Sequence, residues 1–336
     1  MDNSEKNFEI QKRLFEEIQE NHLPSNQVLV DEISDVLKTG KDSAYRRIRC
    51  DKLLSIKETY ILCKHFQISF DALMMDFKNI NLFNCIYKPI DLSIPNEYYN
   101  YLRTFLKNIE KLRHAHGSNI IMSATDIPVL HIITQKELTF FKLYSWSQSV
   151  YDNKSHIDDF IKEMDKPELI DYYKKIRNNY EFISSAEIWT EDTIDATLKL
   201  ISYYVDVCNF SSKELPLLLC EQILNILSQL QEWAENGTKN DRLTPFQLYI
   251  SEIALENTYF IMKHSQAKSC IVKLFTVNSL TVFDKEFCKE VENWLTRLSQ
   301  RSILLCGSAE KERIKFFNTQ RQKVLFLIDK IKKSSI

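Results

Sequence analysis

Basic side chains are concentrated in one short stretch of this 336-residue chain. Residues 38–64 hold eight Lys or Arg and three Asp or Glu, a net charge of +5, whereas residues 1–37 hold three basic and nine acidic residues, a net charge of −6. Over the whole chain, 44 basic residues nearly balance 46 acidic ones. A local positive potential attracts phosphate groups, so the stretch is a candidate for binding nucleic acid.

The most basic part of this stretch has the pattern of two helices joined by a tight turn. A predicted helix over residues 27–38 is followed by a turn at 39–41. Asp42 or Ser43 then caps a second predicted helix, which runs to Arg49. The basic residues lie on this second helix and directly after it.

The second helix separates its apolar side chains from its polar ones. Ala44 and Ile48 lie one turn apart and face inward, whereas Ser43 and Arg46 point the opposite way with Asp42 beside them. A helix in the DNA major groove needs one exposed face to contact base edges and basic flanks to contact phosphates. The pattern therefore predicts a DNA-recognition helix. A solvated basic helix face is the alternative, and it leaves the preceding turn and the capped helix that follows without a role.

The residue types suggest a division of roles on this helix. Arg46 could form two hydrogen bonds with O6 and N7 of a guanine, which is worth ~1–3 kcal/mol of discrimination against other bases. Phosphate contacts are predicted for Tyr45, Arg47, Arg49 and Lys52. Binding that depends on such contacts weakens steeply as salt is added.

Short helices must position this recognition helix, and the sequence predicts a compact set of them in residues 1–78. Ser55 and Glu58 form a capping box that starts the helix after it. Residues 79–96 are the predicted linker, because Pro89 and Pro95 block helix there. The five predicted helices are Phe8–Glu20, Gln27–Lys38, Asp42–Arg49, Ile56–Phe66 and Ser69–Met75.

Residues 97–336 are predicted to form a larger α-helical domain for regulation or dimerisation. One or two short strands are expected near the linker, at 82–87 and 119–127, so the predicted fold class is mainly all-α. Apolar residues in the helix at 96–114 follow a 4-3-4-3 spacing, which fits either a coiled-coil dimer seam or a helix facing the core. Later helix starts are predicted at Thr190, Ser212, Thr244 and Ser308.

Glycine and cysteine usage excludes several classes of site. No two of the four glycines lie closer than 70 residues, which excludes a Walker A loop, a dinucleotide-binding glycine motif and a nucleophile elbow. No two of the eight cysteines lie closer than 12 residues, so a C-x-x-C site is absent. His114 and His116 diverge on a helix and do not form a ligand pair. We therefore predict no enzyme activity, no catalytic residue, no metal and no cofactor.

The stretch from about Asn26 to Leu73 resembles the Cro/repressor-like helix-turn-helix domain of bacterial transcription regulators. The fuller pattern, LVDEISDVL…KDSAYRRIR…LSIKETYILCKHFQISFDAL, is similar to one-component regulators with a BetR-like N-terminal domain and a long helical C-terminal region. Later segments such as EIWTEDTIDATLKLISYY and EKERIKFFN look similar to the same group. Lys38 and Cys50 depart from the pattern, because both stand where the family usually has glycine. The resemblance implies dimeric, sequence-specific DNA binding by Lys41, Ser43, Tyr45, Arg46, Arg47 and Arg49.

Together these features predict a transcription regulator that acts as a homodimer on double-stranded DNA. Two recognition helices, each bearing Arg46, would enter successive major grooves ~34 Å apart. The alternative is a helical interaction scaffold or effector-sensing adaptor in which DNA binding is secondary, and an unknown small-molecule or peptide effector is a candidate partner. We expect a cytoplasmic protein without membrane contact, because no signal peptide or apolar run of ~18 residues is present. The candidate DNA-binding residues are Lys41, Asp42, Ser43, Tyr45, Arg46, Arg47, Arg49 and Lys52.

Overall fold

The chain divides into two compact units in a computed structural model, residues 1–85 (unit 1) and residues 86–336 (unit 2). The division falls inside the range predicted as a linker. The structure describes residues 3–22, 26–66, 68–70, 73, 85–92, 96–151, 155–240, 243–264, 267–275 and 277–334.

Helices occupy most of the described residues of unit 1. Its core is formed by apolar side chains at helical spacing, among them Leu14, Ile18, Ile33, Ala44 and Leu62. The first helix begins earlier than predicted, the next two are shifted by one residue, and the fourth matches. The predicted helix Ser69–Met75 lies largely outside the described residues. The helices are α1 (Asn3–His22), α2 (Asn26–Leu37), α3 (Lys41–Ile48) and α4 (Ile56–Phe66).

Two residues beside α3 adopt backbone conformations that favour glycine. Lys38, directly after α2, has a φ angle of 52°, and Cys50, just after α3, has a φ angle of 62°. These are the two positions at which the sequence departs from the glycines of the resembled family. A side chain in this left-handed conformation costs ~1–2 kcal/mol, so the chain forms both turns with some strain.

Unit 2 is built around a mixed sheet, and the expectation of a mainly all-α fold is wrong. Eight strands follow the order β1-β7-β6-β5-β2-β3-β4-β8. Strands β2, β3 and β4 are parallel, and β5, β6, β7 and β8 pair in antiparallel fashion with their neighbours. The strands are β1 (Cys85–Tyr87), β2 (Asn119–Ser123), β3 (Ser184–Trp189), β4 (Phe246–Ile250), β5 (Tyr259–His264), β6 (Ala267–Lys273), β7 (Ser279–Val282) and β8 (Ile303–Leu304).

The error has a specific physical cause in β4. The sequence from Thr244 matches a helix start, with Pro245 at the first position and a glutamine two residues later. Phe246, Leu248 and Ile250 are nevertheless buried while Gln247 is exposed, which is the two-residue period of a strand. Burial of this alternating set against the helices outweighs the local preference for helix. Of the two predicted strands, 119–127 contains β2, and 82–87 contains β1, with 82–84 outside the described residues.

Helices cover both faces of this sheet. Ile120 and Met122 of β2 point into a core formed with most of the helices, whereas Ile121 points to the other face, which the helix Lys285–Gln300 covers. The helices of unit 2 are α5 (Glu97–His114), α6 (Val129–Ile132), α7 (Lys136–Tyr151), α8 (Ile157–Met164), α9 (Pro167–Tyr180), α10 (Asp195–Asp206), α11 (Glu214–Asn236), α12 (Lys285–Gln300) and α13 (Glu310–Lys333).

The helix predicted at 96–114 faces the core and does not form a coiled-coil seam. Tyr98, Leu102, Ile109 and Leu112 of α5 are buried within the core of unit 2, so its apolar stripe faces the core of its own chain. Across the described ranges of the chain, no helix combines the length and apolar character needed to cross a bilayer.

Candidate nucleic-acid interface

Helix α3 presents polar side chains on one side and packs on the other. Ala44 is buried in the core of unit 1, and Ile48 packs against that core. Tyr45 and Arg46 are exposed, and Arg49 is exposed one residue after the helix ends. The helix begins at Lys41 with Gly40 as its N-cap, one residue earlier than predicted. The arrangement gives an accessible surface that carries an arginine at its centre.

The other predicted DNA-binding residues lie around this surface. Lys41, Asp42 and Lys52 are exposed, and Ser43 is half-buried. Seven of the eight candidate residues are thus at least partly accessible, and the exception is Arg47. Contacts between these residues and DNA stay a prediction.

Arg47 differs from its neighbour Arg46, because its side chain is only 5% exposed. Its Nη2 donates to a carboxylate oxygen of Glu58 at 2.6 Å, and its Nη1 donates to the backbone oxygen of Ser43 at 3.0 Å. The guanidinium is therefore used inside unit 1 and joins α3 to the start of α4. This placement assigns Arg47 a structural role in place of the predicted phosphate contact.

Glu58 also closes the predicted capping box of α4. Its Oε2 accepts from the backbone N of Ser55 at 2.8 Å, and its own backbone N donates to the Ser55 hydroxyl at 3.2 Å. Partial burial acts to raise the pKa of the Glu58 carboxyl, but the hydrogen bonds from Ser55 and Arg47 outweigh it and lower that pKa. The carboxylate thus stays charged and fixes the start of α4 relative to α3.

Two of the exposed cations have partners on the surface of unit 1. Lys41 Nζ lies 2.7 Å from a carboxylate oxygen of Asp31 on α2, and this contact raises the pKa of Lys41. The guanidinium of Arg49 lies 5.6 Å from the centre of the Tyr45 ring, and its Nε lies 3.9 Å from Asp51. These exposed pairs are weak and can exchange for phosphate.

The sequence reasoning missed Gln11 on α1. This side chain is 5% exposed, and its amide bonds the backbone at the end of α3 and in the segment that follows. A pattern in the sequence could have drawn attention to it, because Gln11 shares a helical stripe with Leu14, Phe15 and Ile18, which are all buried. A polar residue within such a stripe must find partners inside the fold.

Unit 2 contains a buried polar cluster centred on Glu187 in β3. Tyr180 donates to this carboxylate at 2.6 Å, Trp189 donates at 2.9 Å, and His131 Nε2 lies 2.8 Å from it. Arg177 lies 3.4 Å from the other ring nitrogen of His131, and burial lowers the pKa of this histidine. All five residues are buried, each at most 5% exposed, so the cluster lies inside the core of unit 2 and is closed to solvent.

A second charged group lies after the carboxyl end of β2. Asp126 accepts from Lys142 and, at 2.6 Å, from the hydroxyl of Thr197. Burial acts to raise the pKa of Asp126, but Lys142, the charge of Lys273 and the hydrogen bond from Thr197 together outweigh it and lower that pKa. The carboxylate is thus balanced by cations within unit 2. In the described part of the chain, no group of three or more His, Cys, Asp or Glu is placed to hold a metal ion.

A cavity of about 490 Å³ lies at the amino ends of β2, β3 and β4 in unit 2. Its wall carries no charged side chain, and Gly237 and Gly307 form part of it. Both glycines have positive φ angles, 66° and 68°. The wall also carries Ser184, Ser185 and Cys306, and burial raises the pKa of the Cys306 thiol.

Comparison with protein-family models, curated proteins and solved structures found no match for this chain. The fold and the geometry of unit 1 are therefore the observations from which a function must be argued.

Proposed function

We propose that this chain is a sequence-specific DNA-binding transcription regulator whose DNA-binding domain is unit 1. Helix α3 enters the major groove, with Arg46 directed at base edges and Arg49 and Lys52 directed at phosphates. The chain acts as a homodimer on double-stranded DNA, so that two α3 helices occupy successive major grooves. Unit 2 is the regulatory part.

One observation carries the proposal: adjacent arginines on α3 have opposite environments. Arg46 is exposed without an ion pair among the described residues, whereas Arg47 is buried against Glu58. The contact between Arg47 and Glu58 fixes the rotation of α3 about its axis, and Arg46, about 100° further round the helix, stays accessible. A fixed rotation presents Arg46 to a ligand in one orientation, which contacts with base edges require.

The surroundings of α3 support the same function. Lys41, Arg49 and Lys52 flank Arg46 and are all exposed, so a phosphate backbone on either side of the helix would meet a cation. The compensating acidic groups, Asp31 and Asp51, are themselves exposed and bind their cations weakly.

Salt dependence of binding to a DNA duplex tests the electrostatic part of the proposal. The full chain should lose affinity as salt rises, with a linear relation between the logarithms of the binding constant and the salt concentration. Arg49→Ala and Lys52→Ala should each reduce the slope by ~1. Arg297→Ala, which removes an exposed arginine from α12 of unit 2, is the matched control and should leave the slope unchanged.

The proposal fails if the folded wild-type chain binds duplex DNA no better at low salt than at high salt. It also fails if Arg297→Ala changes the slope as much as Arg49→Ala does, because binding would then depend on the charge of the whole chain and not on α3.

A further inference from the structure

The side chain of Gln11 joins α1 to three backbone groups around the end of α3. Its Nε2 donates to the backbone oxygen of Arg47 at 2.7 Å and to that of Lys52 at 2.8 Å. Its Oε1 accepts from the backbone N of Leu54 at 2.8 Å. One buried amide therefore connects the last turn of α3 with the segment that leads to α4.

These partners are backbone groups at and just after the end of α3. The last four carbonyl groups of a helix accept no hydrogen bond from within it. The Arg47 oxygen, in the last turn of α3, accepts from the backbone N of Cys50 at 3.0 Å as well as from Gln11. Lys52 and Leu54 lie in the irregular segment between α3 and α4, where the backbone also lacks regular partners. The three partners need two N–H donors and one acceptor on the same side chain, which only the amides of Asn and Gln offer. Of these two side chains, that of glutamine is the longer.

Arg47 is consequently held at both of its ends. Gln11 of α1 bonds its backbone oxygen, and Glu58 of α4 bonds its guanidinium. The residue before it, Arg46, is exposed on the outer side of α3, and Lys52 carries another of the oxygens that Gln11 bonds. The orientation of the outward side of α3 is thus set from two neighbouring helices.

We propose that Gln11 is a positioning residue for DNA recognition, which makes α1 part of the recognition unit although α1 lies before the stretch that resembles a helix-turn-helix domain. This inference rests on the proposed function. Base contacts require groups held within ~0.5 Å and ~10–20° of their productive geometry, whereas phosphate contacts depend mainly on charge. Loss of Gln11 should therefore reduce specificity far more than it reduces non-specific binding.

The test compares Gln11→Met with the wild-type full chain. Methionine keeps the length and apolar packing of the side chain and removes all three hydrogen bonds. The wild-type protein first selects its preferred duplex from a random pool. Affinity is then measured for that duplex and for a scrambled duplex of the same composition, at a temperature at which circular dichroism shows every variant folded.

We expect Gln11→Met to lose at least tenfold in affinity for the selected duplex and to stay within about twofold of wild type for the scrambled one. The slope of affinity against salt should not change, because no charge is removed. Gln19→Met, two turns further along α1, makes the same chemical change and should leave both affinities unaltered. Gln11→Asn, with an amide too short to reach all three partners, should give an intermediate ratio.

A folded Gln11→Met variant with the wild-type ratio of the two affinities would overturn the inference. So would an equal loss for both duplexes, because that result indicates a general loss of folded protein. If Gln11→Met does not fold, Gln11→Asn decides by the same ratio. A wild-type chain that selects no duplex contradicts the proposed function itself, which is a different result from a selected duplex bound equally by wild type and variant.

Discussion

Arg46 and Arg47 should respond to substitution in opposite ways. Arg46→Ala removes an exposed side chain, so we expect the free energy of unfolding to change by less than about 0.5 kcal/mol. Specific DNA affinity should fall by about 1–3 kcal/mol, or roughly five- to 150-fold, because a bidentate contact with a base is lost.

Arg47→Ala should mainly lower stability. It leaves Glu58 without its arginine at a position where the glutamate side chain is 21% exposed. Breaking a fully buried ion pair costs about 3–5 kcal/mol, and the partial exposure of Glu58 reduces the expected loss to about 2–3 kcal/mol. DNA affinity measured on the remaining folded protein should fall less than it does for Arg46→Ala.

The pH dependence of stability gives a second readout of the same pair. The pKa of Glu58 is lowered in the folded chain, so its contribution is present above the ordinary value of about 4.5 and is lost as pH falls through the lowered pKa. Arg47→Ala should make the decline in stability below about pH 4.5 shallower than in wild type.

Urea unfolding followed by circular dichroism measures stability, and fluorescence anisotropy with a labelled duplex measures affinity. The reasoning is refuted if Arg47→Ala unfolds at the same urea concentration as wild type, or if Arg46→Ala destabilises the chain as much as Arg47→Ala. Arg46→Ala is expected to change DNA affinity and Arg47→Ala to change stability, so a variant with both substitutions would mix the two effects. Arg46→Ala alone is therefore the suitable variant for testing DNA binding.

Three further predictions follow from other residues. Cys50→Gly should raise the free energy of unfolding, measured in urea, by up to about 1 kcal/mol, because glycine adopts the left-handed backbone conformation of this residue without strain. Cys50→Ser keeps the strain and should give no such increase. A glycine variant less stable than wild type would contradict the prediction. Asp31→Asn should raise DNA affinity about two- to fivefold at low salt, because it releases Lys41 from its ion pair. Salt screens this effect, so the two affinities should be equal at high salt. Unchanged affinity at low salt would contradict the prediction. Gln320→Met should raise the free energy of unfolding by about 1–3 kcal/mol and so raise the midpoint of thermal unfolding. The reason is that neither polar atom of this buried amide has a hydrogen-bond partner among the described residues. A lower midpoint for the variant would contradict this.

The helices of unit 1 could be predicted because their determinants are local. Ser55 and Glu58 specify the start of α4, and both hydrogen bonds of the predicted capping box are present. Ala44 and Ile48 lie on the inner face of α3, as their spacing predicted. The backbone strain at Cys50 also follows from the sequence, because it stands where the resembled family has glycine.

Contacts between distant residues could not be predicted in the same way. Arg46 and Arg47 are indistinguishable by type, and only the folded chain brings Glu58, 11 residues away, to one of them. Gln11 is 36 residues from Arg47 in the sequence, and one sequence alone does not show which distant residues contact each other in the fold. Its position within a buried stripe indicated that it needed partners but not which ones.

The sheet of unit 2 was missed because its strands are short and their composition is mixed. β3 places Glu187, which has low strand propensity, at a buried central position. The hydrogen bonds that make this burial favourable come from Tyr180, seven residues away, and from His131, 56 residues away in the sequence. β5 did carry an indication, since Tyr259 to Met262 is an unbroken apolar run, but a run of four does not separate strand from helix.

Whether α3 recognises DNA can be measured by selecting duplexes from a random pool with the full-length protein and with its Arg46→Ala variant. At physiological salt we expect wild type to enrich a two-fold symmetric sequence whose half-sites are ~34 Å apart, and we expect no enrichment by Arg46→Ala. A folded wild-type protein that enriches no sequence would show that the chain does not act as a sequence-specific DNA-binding protein. Equal enrichment by the Arg46→Ala variant would contradict the role given to α3.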